Sequence, residues 1–454
     1  MPASLPPGPY RTIDVDGAPA PWYMVPFDEA GRCEGPRTRD ELVQRAGRDD
    51  VTDVFLFSHG WNNDWAVATG KYESFLSGFG RMRAEHGLDV GRDFRPVLAG
   101  VFWPSTALVD ADERAPQIAA DPAAAFDADV AAERGEVGEL AALLPGDQVE
   151  RFHRLVQADE LEPEQARELA ALLLPVLGGG DDEAPGADEP TAEDLASQWR
   201  HLPDLDAGGG DDDPGAARAE LEDFGTDAPA GDLAAAGLLD RLRPRNVVRA
   251  LSMWLMKDRA GVVGSGGVSD LLVDLLRTDG TRVHLVGHSF GGKVVLSALC
   301  RPASLPRPVS SVLLLQPAVS HLCFAPVVPG TDRPGGYVAA PDRSTNPVLS
   351  TFSRHDVPLT RLFHLAARRR DDLAEVRIAA GEPDRYAALG GVGPRHAGDR
   401  CRTVPVHDVG QPYDLGPQAP ARLYGVDASR TVSGHSDISN PSTHWALFDL
   451  VRSS

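Results

Sequence analysis

Apolar residues recur along this chain in two rhythms. Short unbroken runs rich in β-branched, aromatic and leucine residues predict strands at Val51–Phe57 (VTDVFLF), Pro96–Phe102 (PVLAGVF), Arg282–Val286, Ser310–Leu315 (SSVLLL), Val348–Phe352 and Ala421–Val426 (ARLYGV). Longer amphipathic segments predict helices over roughly Asp64–Glu85, Asn246–Lys257, Val268–Arg277, Gly291–Cys300 and Pro441–Val451. Near the start, Tyr10–Val15 and Trp22–Pro26 flank an Asp16-Gly17 turn and read as a hairpin. Strands that alternate with helices imply an α/β fold, with a mostly parallel central sheet covered by helices on both faces. In such sheets the functional site lies beyond the carboxyl ends of the strands.

The rhythm breaks after the fourth strand. Residues 123–178 keep a helical period (ELAALL, ARELAALLLPVL), whereas 179–232 are rich in Gly, Asp and Pro and read as linker. The chain thus divides into a core of 1–105 and 246–454, a helical cap insertion at 106–178 and an acidic, largely disordered linker at 179–245. Seventeen Asp and Glu stand against two Arg in 181–232, so most of the formal net charge of −23 sits there. The acidity argues against nucleic-acid or anionic-membrane partners. The start, MPASLPPGPY, has neither a basic nor an apolar leader segment, and no apolar run reaches membrane-spanning length. Cys33, Cys300, Cys323 and Cys401 are widely spaced, which suits reduced thiols; together these features predict a cytoplasmic location. No His/Cys/Asp cluster has metal-ligand spacing, and no cofactor is expected. The oligomeric state is open.

The chemistry concentrates in VHLVGHSFGGKVVL, residues 283–296. Gly287 to Lys293 reads G-x-x-x-x-G-K, most of a phosphate loop, but Val294 stands where a Mg²⁺-binding hydroxyl is needed. The overlapping Gly287-His288-Ser289-Phe290-Gly291 is a G-x-S-x-G between a predicted strand and a predicted helix. That is the context of a nucleophile elbow, where Gly287 and Gly291 let the backbone bend tightly and the helix start favours developing negative charge at Ser289. The arrangement resembles the α/β-hydrolase superfamily of serine esterases and lipases, in particular bacterial hydrolases with S-H-G-W and W-P-S after two consecutive strands. The resemblance covers roughly 10–105 and 246–454.

The resemblance implies an acid and a histidine downstream of Ser289, in that order. Asp356 follows strand 348–352 and His435 follows strand 421–426, so these are the candidates. Asp427, Asp437, His355 and His444 are rivals. The oxyanion hole would be formed by the backbone N–H of Phe290 and one from the loop Ser58-His59-Gly60-Trp61-Asn62-Asn63, with Trp61 as donor and His59 and Gly60 shaping the turn. Trp103 is expected in the pocket wall, and Lys293 near the surface of its helix. The expected activity is cleavage of a small-molecule or lipid-like carboxylic ester through an acyl-enzyme, with thioesterase or amidase chemistry on the same triad as an alternative. A non-catalytic binding or signalling module on the same fold is the alternative from another class.

Overall fold

A computed structural model describes residues 6–15, 19–61, 63–105, 137–138, 140–158, 160–175, 191–193, 196, 244–362 and 387–454. Its strands and helices follow in chain order as β1 (Arg11–Asp14), β2 (Pro19–Pro26), α1 (Pro36–Ala46), β3 (Asp53–Ser58), α2 (Trp65–His86) and β4 (Pro96–Phe102). After the insertion helices α3 (Gly146–Val156) and α4 (Pro163–Leu173) come α5 (Pro244–Val263), α6 (Ser269–Leu276), β5 (Arg282–His288) and α7 (Phe290–Cys300). Then follow β6 (Ser311–Leu315), β7 (Val348–Phe352), the short α8 (Leu389–Val392), β8 (Cys401–Pro405), β9 (Leu423–Asp427) and α9 (Pro441–Arg452).

Among the described residues the strands form one nine-stranded sheet, ordered β1-β2-β4-β3-β5-β6-β7-β9-β8. Only β1 runs antiparallel, against β2. The predicted hairpin and mostly parallel sheet are both present. β3 is buried along its whole length, because helices cover the sheet on both sides. On one face Leu42 of α1, Met256 of α5, Leu271 of α6 and Val294 of α7 share a core with Val54, Leu285 and Val312. On the other, Phe75 and Phe79 of α2 and Trp445 and Phe448 of α9 pack on Phe55, Phe57 and Leu313.

Helix ends follow local chemistry. Asp64 caps α2 by accepting from Val67 N at 2.7 Å, and Gly87 closes it in the left-handed region. Asn440 caps α9 in a reciprocal box with Thr443. The glycines at 264–267 break the run from α5 to α6: a π-helical turn spans Gly264–Val268, and Gly266 leaves helical geometry. Gly264 and Gly267 are tight against Val294 O and Gly31 O, so the break also lets backbones approach.

Four expectations change. β5 runs on to His288, and α7 starts at Phe290, so strand and helix meet at a single residue, Ser289. α1 and β8 were not anticipated. α1 buries only Thr38, Leu42 and Ala46, too sparse an apolar pattern to stand out. β8 is a mostly exposed edge strand inside a Gly/Pro/Arg-rich stretch. Lys293 is buried rather than near the surface, with its Cε 2.9 Å from where a Cβ on Gly261 would lie.

The described part of the insertion is helical and has its own small core, in which Phe152, Leu161 and Leu169 pack with Val247 at the start of α5. Residues 106–136, and all of the predicted linker 179–245 except 191–193, 196 and 244–245, lie outside the described residues. Among the described residues no helix is long and apolar enough to cross a membrane.

Candidate active site

The parallel register brings the ends of β3, β5, β6, β7 and β9 to one rim. Ser58 pairs with Gly287, His288 with Leu315, and Phe352 with Asp427. Gly60, Ser289, Gln316, Asp356 and His435 sit on turns leaving that rim.

Ser289 occupies the turn between β5 and α7 at φ 55°, ψ −125°, a conformation that L residues rarely adopt and that costs on the order of 1–3 kcal/mol. The surrounding structure compels it. Ser289 N donates to Leu315 O at 3.1 Å, while its carbonyl accepts from Gly292 N and Ala318 N at 3.0 Å. A Cβ on Gly287 would lie 2.6 Å from Gly291 O, and one on Gly291 would collide with Ser58 O. The two glycines of G-x-S-x-G are therefore a packing requirement here.

His435 lies between β9 and α9. Its Nε2 is 2.9 Å from Ser289 Oγ, and its Nδ1 is 2.8 Å from Asp356 Oδ2. These partners assign the tautomer: Nδ1–H donates to the carboxylate, and Nε2 accepts from the hydroxyl. Asp356 is fully buried just past β7, and its Oδ1 accepts from Leu359 N at 3.1 Å. The acid and histidine loops are tied to each other, since Ser353 Oγ donates to Val432 O and Arg354 N donates to Ser429 Oγ. Residues 146 and 79 positions apart thus form one hydrogen-bonded chain.

The rivals lie elsewhere. Asp437 accepts from both the N–H and the hydroxyl of Ser433, which closes the His435 loop. Asp427 ends β9 with an exposed side chain that accepts from Ser429 N. His355 points to solvent on the acid turn. His444 is buried in α9 against Phe75, and burial pushes its pKa down to about 4.

The loop after β3 reaches Ser289 through Gly60. A Cβ there would lie 2.6 Å from Ser289 Cβ and 3.2 Å from His288 O, so any side chain would displace the serine. Trp61 follows, half-buried, and Phe290 begins α7 with its ring in the core. Asn63 holds the turn by donating from Nδ2 to Gly60 O and Trp61 O, and Asn62 lies outside the described residues.

His59 is buried, with Nδ1–H donating to Gly60 O at 2.9 Å and Nε2 accepting from Trp103 N at 3.3 Å. Burial pushes its pKa down to about 4, so it is neutral at physiological pH. Trp103 is fully buried and stacks on His59 with ring centroids 5.5 Å apart. It therefore braces the loop from behind and does not form an open pocket wall. Ser105 extends the brace by bonding both backbone groups of Asn63.

Three groups escaped the sequence reading. Tyr72, on α2, accepts from His59 N at 2.7 Å and donates to Val101 O at 2.6 Å, bridging the ends of β3 and β4. Gln316, just past β6, is fully buried at φ 39° and donates to Gly434 O. Ser353 ties the two loops, as above. None lies in a motif; each is defined by what the tertiary fold places beside it.

Lys293 lies inside α7, and Val294 has no solvent exposure, so the glycines before them do not form a cradle leading to a hydroxyl. Among the described residues no group of three or more His, Cys, Asp or Glu is placed to hold a metal ion. All four cysteines are free thiols. Comparison with protein-family models, curated proteins and solved structures finds no match to this chain.

Proposed function

We propose that the protein is a serine hydrolase of α/β-hydrolase type that cleaves carboxylic esters through an acyl-enzyme. The observation that carries this reading is the chain Ser289 Oγ–His435 Nε2, His435 Nδ1–Asp356 Oδ2 at 2.9 and 2.8 Å, set on a strained turn at the carboxyl rim of the sheet. A serine hydroxyl is a weak nucleophile unless a base takes its proton. His435 is within hydrogen-bond reach for that transfer, and Asp356 would orient the imidazole and stabilise the imidazolium.

In the first half-reaction Ser289 Oγ bonds to the acyl carbon while its proton moves to His435 Nε2. The ester C–O bond then breaks, and His435 returns the proton to the leaving alkoxide. In the second half-reaction water attacks the acyl-enzyme with His435 again as base, releasing the acid and free Ser289. The oxyanion would be held by the N–H of Phe290 at the start of α7 and by that of Trp61, beyond the close approach of Gly60. The same steps would serve a thioester or amide; a small-molecule or lipid-like acyl ester is the proposed substrate class.

Labelling with a fluorophosphonate probe tests the reading. Wild type should label and Ser289→Ala should not, and turnover of p-nitrophenyl esters in Ser289→Ala should fall by at least about 10⁴-fold. An unlabelled wild type, or equal labelling of Ser289→Ala, overturns the proposal in favour of a non-catalytic protein.

A further inference from the structure

His288 and Gln316 are buried polar side chains with no part in the proton relay. Both aim their donors at the backbone that carries its histidine. His288 Nε2 donates to His435 O at 3.0 Å; Gln316 Nε2 donates to Gly434 O at 3.1 Å and approaches His435 O at 3.5 Å. The acceptors are carbonyls, which assigns the Gln316 amide as NH₂ inward and the His288 ring as its Nε2–H tautomer. His288 ends β5 immediately before Ser289, and Gln316 follows Leu315, whose carbonyl accepts from Ser289 N. The two strand ends that fix the nucleophile therefore also grip the base.

We propose that His288 and Gln316 are positioning residues that set the distance from His435 Nε2 to Ser289 Oγ by clamping the Gly434–His435 backbone; this rests on the serine hydrolase reading above. Side-chain ties elsewhere in the His435 loop, Ser433 to Asp437, Val432 to Ser353 and Asn440 to Thr431 and Asp437, hold residues on either side and do not reach the Gly434–His435 carbonyls. Two further observations fit a clamp. Gln316 keeps its donors inward at the cost of a positive φ. The other ring nitrogen of His288, Nδ1, is buried without a hydrogen-bond partner, so a second proton there would be unsatisfied. A neutral His288 is what the site needs, because its ring lies 5.0 Å from the His435 ring, where a positive charge would oppose the imidazolium.

The test compares His288→Leu, which loses the donor, with His288→Gln, whose amide nitrogen can reach the same carbonyl. Fluorophosphonate labelling of Ser289 should slow by about 10²-fold in His288→Leu, as expected for misplacement on the order of 1 Å, and recover at least tenfold in His288→Gln. KM should change little in either. The His435 Nδ1–H resonance, followed by NMR, should shift or broaden in His288→Leu and return in His288→Gln. Gln316→Met should reproduce the loss and serves as the probe if His288→Leu does not fold. Folded His288→Leu or Gln316→Met with wild-type labelling and an unmoved His435 resonance overturns the clamp, as does His288→Gln behaving like His288→Leu. If wild type does not label at all, the hydrolase reading falls, and the NMR comparison alone still decides whether the clamp exists.

Discussion

Ser289 holds its positive φ because three backbone segments converge on it: β5 from below, the start of α7, and the loop after β3. Gly60 is where the loop after β3 meets the serine itself. Gly60→Ala would push a methyl into Ser289 Cβ, an overlap that no flexible side-chain end can relieve. A loss of about 1–3 kcal/mol in stability is expected, together with slower Ser289 labelling. Urea midpoints and labelling rates measure the two, and a variant with both unchanged would show that the loop does not press on the serine. The sequence offered G-x-S-x-G and S-H-G-W as separate strings. That they meet at Gly60 depends on β3 and β5 being sheet neighbours, which no local pattern states.

At the scale of elements, the histidine loop is suspended between β9 and α9, and the cap of α9 is part of the suspension. Asn440 Oδ1 accepts from Ser442 N and Thr443 N, while its Nδ2 reaches Asp437 O and Thr431 O. Asn440→Ala should cost about 0.5–2 kcal/mol, read as a lowered melting temperature. Loss of those loop contacts should also reduce turnover; full activity at wild-type temperature would separate cap from loop.

α2 braces the opposite side through Tyr72, whose hydroxyl is buried between the ends of β3 and β4, and burial pushes its pKa well up. Tyr72→Phe strands His59 N–H and Val101 O without a partner. It should cost about 1–3 kcal/mol, checked by denaturant unfolding. The strands and long helices were legible because each buries a periodic apolar face. α1 and β8 were not, because one buries a sparse stripe and the other lies exposed at a sheet edge.

Across the whole molecule, His59, His284, His288 and His444 are buried, and burial lowers the pKa of each: to about 4 for His59 and His444, well down for His288, and down for His284. His284 lies at the opposite end of the sheet, where Nε2 meets Asp53 Oδ1 at 3.0 Å and Nδ1 meets Ser311 Oγ at 2.8 Å. Burial pushes Asp53 up, but hydrogen bonds from His284 and Arg92 outweigh it and hold the carboxylate well below its usual range. With His284 neutral, Arg92 supplies the charge.

Below an unperturbed histidine pKa of about 6.5 the unfolded chain binds protons at these four sites that the folded protein does not. Stability therefore falls as pH drops below about 6.5, and for His59 and His444 the fall continues toward 4, by up to about 1.4 kcal/mol per pH unit for each. The contribution of Asp53 is full above the unfolded carboxylate pKa and is lost only at still lower pH. The urea midpoint should be flat from pH 7.5 to 8 and decline steeply below 6.5, and His444→Leu should shallow the decline. A flat profile from pH 8 to 5 would contradict neutral burial.

The amino-acid sequence by itself determined the alternation of strands and helices, hence a mostly parallel sheet, and a G-x-S-x-G between a strand and a helix, with Asp356, His435 and their rivals on later turns. Both are local patterns: apolar periodicity decides secondary structure, and residue type decides what chemistry a turn can carry. Only the tertiary structure decided which turns meet. Strand order and register bring Ser289, Asp356 and His435 into one hydrogen-bonded chain and leave Asp427, Asp437, His355 and His444 in other duties. Burial then separates a largely buried lysine from a surface one, and a tryptophan that braces a loop from one that lines a pocket. Those distinctions arise from long-range contacts, and no window of neighbouring residues contains them.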